Sequence, residues 1–190
     1  YEATFMSDYL ELALKLNDDM IKYFYDEKNG GFYIYGCDSE ELIARPKDIY
    51  NGATPSGNSV ATLNLLRLSK ITGRSELEDM ANKQFNAFGN SVGRYPAGYS
   101  HFMMAVLYAH SKAREIVIVG KRADESTKKL MDKINSSYMP NTVSVFKDID
   151  EDQIKINKLI NYIEYNEAIG NKATVYVCQG FACKAPVNDV

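Results

Sequence analysis

"RPKDIYNGATPSGNSVATLNLLRLSKITG", residues 45–73, sets a charged cluster, an Asn-Gly turn and a Pro-Ser-Gly-Asn turn directly before an amphipathic helix. Val60, Leu63, Leu66 and Leu68 supply the helical apolar period, and Thr72-Gly73 ends it, glycine taking the left-handed position past the last turn. The helix begins near Asn58-Ser59, where a side-chain oxygen can accept a free backbone N–H. Arg45, Lys47 and Asp48 bring both charges beside Pro46, while Gly52 and Gly57 allow tight reversals and close backbone approach. So dense a loop has two uses: it can seat the helix, or it can present polar groups to a ligand. A polyhydroxyl ligand would suit Arg45, Asp48, Asn51, Ser56 and Asn58, with Tyr33 and Tyr35 as flat partners for sugar faces. Spacing alone favours seating.

Outward from that stretch, the first 113 residues keep a helical grammar. Met6, Leu10, Ala13, Met20 and Phe24 predict a helix over residues 7–25, which Asn29-Gly30-Gly31 stops. Phe32 to Tyr35 follows as a short strand or an extended aromatic loop, and a loop runs over residues 36–57. Ser75-Glu76-Leu77-Glu78 reads as a capping box, with Leu77, Met80, Ala81, Phe85 and Phe88 behind it and Gly89 as its stop. After a loop over residues 90–97, a further helix spans about Gly98 to Lys112. The two-residue link Gly73-Arg74 implies an antiparallel helical hairpin.

Beyond Ala113 the pattern changes to short β-branched runs. Ile116 to Val119, Thr142 to Phe146 and Ala173 to Val177 predict three strands. Between them lie a helix from Glu125 to about Tyr138, which Asp124 can cap, and another around Ile156 to Tyr162. Alternation of strands and helices predicts parallel pairing through crossovers. The expected class is mixed α+β: helical hairpins over residues 1–113, then a small three-stranded parallel α/β unit over 114–190.

Composition narrows the function classes. At 190 residues, 45% hydrophobic and 25% charged, the chain can bury roughly two thirds of its unfolded surface. A net charge of -3 supplies no global basic field for nucleic acid or anionic membrane, and no apolar run reaches the ~20 residues of a span. Cys37, Cys178 and Cys183 lack the spacing of a disulfide scaffold, so they read as idle or buried thiols in a reducing cytoplasm. A metal half-site at Cys178-Gln-Gly-Phe-Ala-Cys183 is disfavoured by its four-residue interval, and no metal or cofactor is expected. Gly120 after a strand is a turn rather than a nucleotide loop, since neither phosphate-binding glycine pattern is present. Asp148 to Asp152 reads as a solvated acidic loop. Asp26-Glu27 and Asp48 offer carboxylates of the kind glycosidases pair, at a separation that sequence does not specify.

"GGFY", the 45–73 stretch and the closing "YVCQGFACKAPV" resemble the C-terminal part of the YyaL-type thioredoxin-domain proteins, whose relatives include spermatogenesis-associated thioredoxin-like proteins of animals. The resemblance covers essentially the whole chain. It implies the last helices of an (α/α)₆ barrel, similar to epimerases and six-hairpin glycosidases, followed by an α/β tail, with a thioredoxin-like domain elsewhere in the parent polypeptide. Tyr1 in place of Met is read as the continuation of such a parent. About four helices before the tail make an incomplete toroid, and no Cys-x-x-Cys is present. Epimerases of this fold use paired histidines, yet His101 and His110 stand nine residues apart, on opposite faces of one helix. His101 is the candidate for a pocket. The implied function is a carbohydrate-active or carbohydrate-binding region, inactive as a fragment. The alternative is a non-catalytic structural and interaction module that supports the thioredoxin-like domain of the parent. Under either reading, exposed helical faces leave room for oligomerisation.

Overall fold

A computed structural model describes residues 1–40, 44–150 and 153–188. Residues 41–43 of the long loop, and Glu151 and Asp152 of the acidic one, lie outside the described residues. Among the described residues, six α-helices and a four-stranded mixed sheet make a mixed α and β chain. The helices are α1 (Ser7–Phe24), α2 (Gly57–Thr72), α3 (Ser75–Arg94), α4 (Ser100–His110), α5 (Glu125–Asn135) and α6 (Gln153–Leu159). The strands are β1 (Arg114–Gly120), β2 (Thr142–Asp148), β3 (Thr174–Gln179) and β4 (Ala182–Cys183). Two compact units result: one from residues 12–69 and 74–111, the other from residues 1–11, 70–73 and 112–190.

In the sheet-containing unit the strand order is β2-β1-β3-β4. β1 is buried from Glu115 to Gly120, as expected of a central strand covered on both faces. On one face Ile116, Ile118, Phe146 and Val175 pack with Leu130, Met131 and Ile134 of α5 and with Phe5. The outer edge of β2 is closed by the chain's first residues: Ser144 N–H donates to Glu2 Oε1 at 3.0 Å, and Phe146 N–H to the Tyr1 hydroxyl at 3.3 Å. An open edge with free N–H groups would invite strand pairing, so two side chains there serve as a cover. Gly120 has no room for a Cβ, which would meet Thr127 Oγ1 at 2.7 Å.

The expected parallel pairing holds for one pair only. β1 and β2 run parallel, whereas β3 runs antiparallel to β1 and a fourth strand extends the sheet. The reason lies in the connections. Thr174 pairs with Val119, at the same end of β1 where Asp148 of β2 pairs with Gly120. The chain therefore leaves and re-enters the sheet at one end. α6, with seven residues, is about 10 Å long and cannot carry the chain back along a strand of about 23 Å. The segment after it folds into short turns over Asn161–Ile163 and Ile169–Asn171. Lys147 fixes the first of these. Its Nζ is buried and donates to the carbonyls of Ile163, Glu164 and Asn166 at 3.1, 2.6 and 3.0 Å, and burial lowers its pKa.

In the helical unit, α3 does not stop at Gly89 but continues to Arg94. The cost of a glycine inside a helix, about 1 kcal/mol, is outweighed by burial of Phe88 and Val92 in a cluster with Ile49 and Phe102. The capping box also fails: Arg74 holds the cap position without a side-chain cap, and its guanidinium instead reaches Glu76 and Asp18. Asp124 holds the cap position of α5, likewise without a side-chain bond.

Candidate functional site

Residues 45–58 fold back over the start of α2, and the bonds that hold them there are specific. Ser56 is the N-cap: Ser59 N–H donates to its Oγ at 3.2 Å, and Val60 N–H donates to its carbonyl at 3.1 Å. Asn58, one residue inside the helix, does something different. Its Oδ1 accepts Phe32 N–H at 2.6 Å, and its Nδ2 donates to Phe32 O at 2.9 Å and to Asp48 O at 2.7 Å. A buried amide thus clamps two chain segments to the helix start. Asn51 Oδ1 accepts Ser56 N–H at 2.9 Å, while its Nδ2 is buried without a partner among the described residues. Asp48 is exposed and turns the backbone by accepting Tyr50 N–H.

The second half of the cluster is centred on Asp26. The turn over residues 26–31 places its carboxylate to accept Lys28 N–H and Asn29 N–H at 3.0 Å each and Asn29 Nδ2 at 3.1 Å. The Tyr33 hydroxyl donates to it at 2.7 Å and Lys47 Nζ at 2.6 Å. Lys47 first, then Tyr33 and Asn29, hold this carboxyl well below the usual carboxylate range. The same bond raises the Tyr33 phenol. The Arg45 guanidinium lies 4.1 Å from the centre of the Tyr33 ring and donates to Tyr35 O at 2.8 Å.

Of the residues singled out in the sequence, Asn51, Ser56 and Asn58 hold the α2 start, Tyr33 and Arg45 belong to the Asp26 cluster, and Asp48 reaches Asn58 through its backbone carbonyl alone. Tyr35 takes part through its carbonyl, with its ring exposed. His101 is half-buried in the first turn of α4, and it is His110 that lines the groove between α3 and α4. Asp26 and Lys47, the ion pair at the centre, stand 21 residues apart, a separation no local pattern reveals.

That groove has a volume of about 590 Å³. Phe85, Phe102, Met103 and Val106 form its walls, and Gly89 and Gly93 leave its floor bare, with no atom within 4 Å of where a Cβ would stand.

The cysteines differ from the sequence reading. Cys178 and Cys183 form a disulfide, and Cys37 is free and exposed. The cause is a two-residue hairpin: Gly180 and Phe181 both have positive φ, Gln179 pairs with Ala182, and the cysteines fall on the next pair inward. Cys-Gln-Gly-Phe-Ala-Cys carried that signal, a glycine turn centred between cysteines at matching positions. Among the described residues, no helix is long and apolar enough to cross a membrane.

No family model matches the chain. Over 193 residues that cover all of it, the chain is 34% identical to Spermatogenesis-associated protein 20 of Homo sapiens. The corresponding Mus musculus protein is 33% identical, and an uncharacterised protein of Caenorhabditis elegans is 25% identical over 190 residues. The chain spans about a quarter of the length of these curated relatives.

Proposed function

We propose that the chain is a non-catalytic packing module of a larger protein similar to Spermatogenesis-associated protein 20. The unfilled apolar groove between α3 and α4 carries this reading. Phe85, Met103 and Val106, partly buried over Phe102, stand around a glycine floor and form a surface that another helix can enter closely. Leu12 and Leu16 of α1 and Met104 and Leu107 of α4 add apolar surface at helical spacing, Leu107 being 67% exposed. The covering segments fit the remaining helices of an (α/α)₆ barrel, which is what the family resemblance implies. Gly73-Arg74 between α2 and α3 then serves as one hairpin link of that barrel. Residues 45–58 act by seating α2, because Arg45, Lys47, Ser56 and Asn58 are already bonded within the chain.

Gly89→Ala separates the readings. With nothing near the added methyl, the substitution should stabilise the chain by about 0.5–1 kcal/mol in urea denaturation. In the full-length protein, where a neighbour occupies the groove, the same substitution should bring no gain or a loss. An equal gain in both would count against a covered groove. A sugar site predicts instead that hexoses or N-acylhexosamines raise the chain's Tm; the seating account expects no shift.

A further inference from the structure

We propose that Cys178, Cys183 and Glu115 form a thiol–disulfide exchange site that takes two electrons from an external dithiol. The two sulfurs are unequal. Cys183 lies on the exposed edge strand β4, whereas Cys178 is 1% exposed on β3. Glu115 is the direct register partner of Cys178 across β1 and β3, so the two side chains share a face with Cβ atoms about 5 Å apart. Its carboxylate is wholly buried. Oε2 accepts the Phe181 N–H at the hairpin turn, at 3.3 Å, and Oε1 has no partner among the described residues. A buried carboxylate oxygen left unpaired in a central strand is costly for folding alone, and here it belongs to the register partner of a disulfide cysteine. The Phe181 ring of that turn packs on Tyr162 at 4.9 Å between centroids.

The chemistry follows from this asymmetry. A donor thiolate attacks Sγ of Cys183, the donor–Cys183 bond forms, the Cys183–Cys178 bond breaks, and the electron pair leaves on Cys178 Sγ. A proton drawn from solvent and passed through the Glu115 carboxyl goes to that sulfur. The donor's second thiol then attacks its own sulfur in the mixed disulfide and releases Cys183. The dithiol ends as a disulfide, and the chain holds two thiols. In the closing direction, Cys178 gives its proton to Glu115 Oε1 as its sulfur displaces the thiolate bound to Cys183. Glu115 is a proton carrier to the reacting sulfur.

The test uses the intact chain with Cys37→Ser, so that the exposed third thiol does not react. Reduced and treated with oxidised glutathione, Cys178→Ser should retain one glutathione on Cys183 by mass spectrometry, and Cys183→Ser should retain none without denaturant. With both cysteines present, closure of the glutathione mixed disulfide should slow by about 10²-fold in Glu115→Gln. Equal capture at the two cysteines, or a closure rate within twofold of the parent, overturns the proposal. Should Glu115→Gln fail to fold, closure by the parent in D₂O decides: a rate at least halved supports proton transfer, and an unchanged rate overturns it.

Discussion

Replacing Asp26 with Ala is expected to destabilise the chain by about 3–5 kcal/mol, measured by urea denaturation at neutral pH. The carboxylate is nearly buried, and its removal leaves Lys47, itself only 17% exposed, without its counter-charge. Tyr33 and the backbone N–H groups of Lys28 and Asn29 lose an acceptor at the same time. The stabilisation has a pH signature. Because the folded-state pKa of Asp26 is depressed below the unfolded value of about 3.9, its contribution is complete above that value and declines as pH falls through the folded one. The parent chain should therefore lose stability from about pH 4 downward, and the loss in Asp26→Ala should be smaller over the same range. Parallel acid profiles for the two proteins would contradict the pairing.

Asn58→Ala should cost about 3 kcal/mol or more, well beyond the ~1 kcal/mol of a lost helix cap. The distinction rests on position. Ser56 performs the capping, so Ser56→Ala removes an ordinary cap bond. Asn58 serves three backbone groups of other segments, and a methyl in its place leaves Phe32 N–H, Phe32 C=O and Asp48 C=O without that partner. Asn58→Asp should rescue little, since a carboxylate keeps the acceptor but cannot donate to the two carbonyls. A loss near 1 kcal/mol for Asn58→Ala would reduce it to a cap.

The elements legible in the sequence are those decided locally. α2 is bounded by turn residues before it and Gly73 after it, and β1 is marked by an unbroken β-branched run. α3 escapes its apparent stop at Gly89 because Val92, one helical turn beyond Phe88, is buried and rewards the continuation. Strand direction is not legible: alternation with period two is the same read either way, and direction is decided by what residues 149–173 do between strands. At the α2 start, the residue types are visible but the central ion pair is not. Asp26 and Lys47 belong to different loops, brought together where Phe32 and Asp48 meet on Asn58 and where Ile34 N–H donates to Pro46 O.

Native-state hydrogen exchange at the Phe32 amide tests the seating account most directly. This N–H lies in a loop region at an isolated β-bridge, yet it donates to a buried side chain on α2. The account predicts protection comparable to the central amides of α2, lost selectively in Asn58→Ala under conditions where that variant remains folded. Exchange of Phe32 at the rate of an exposed loop amide in the parent chain would contradict it.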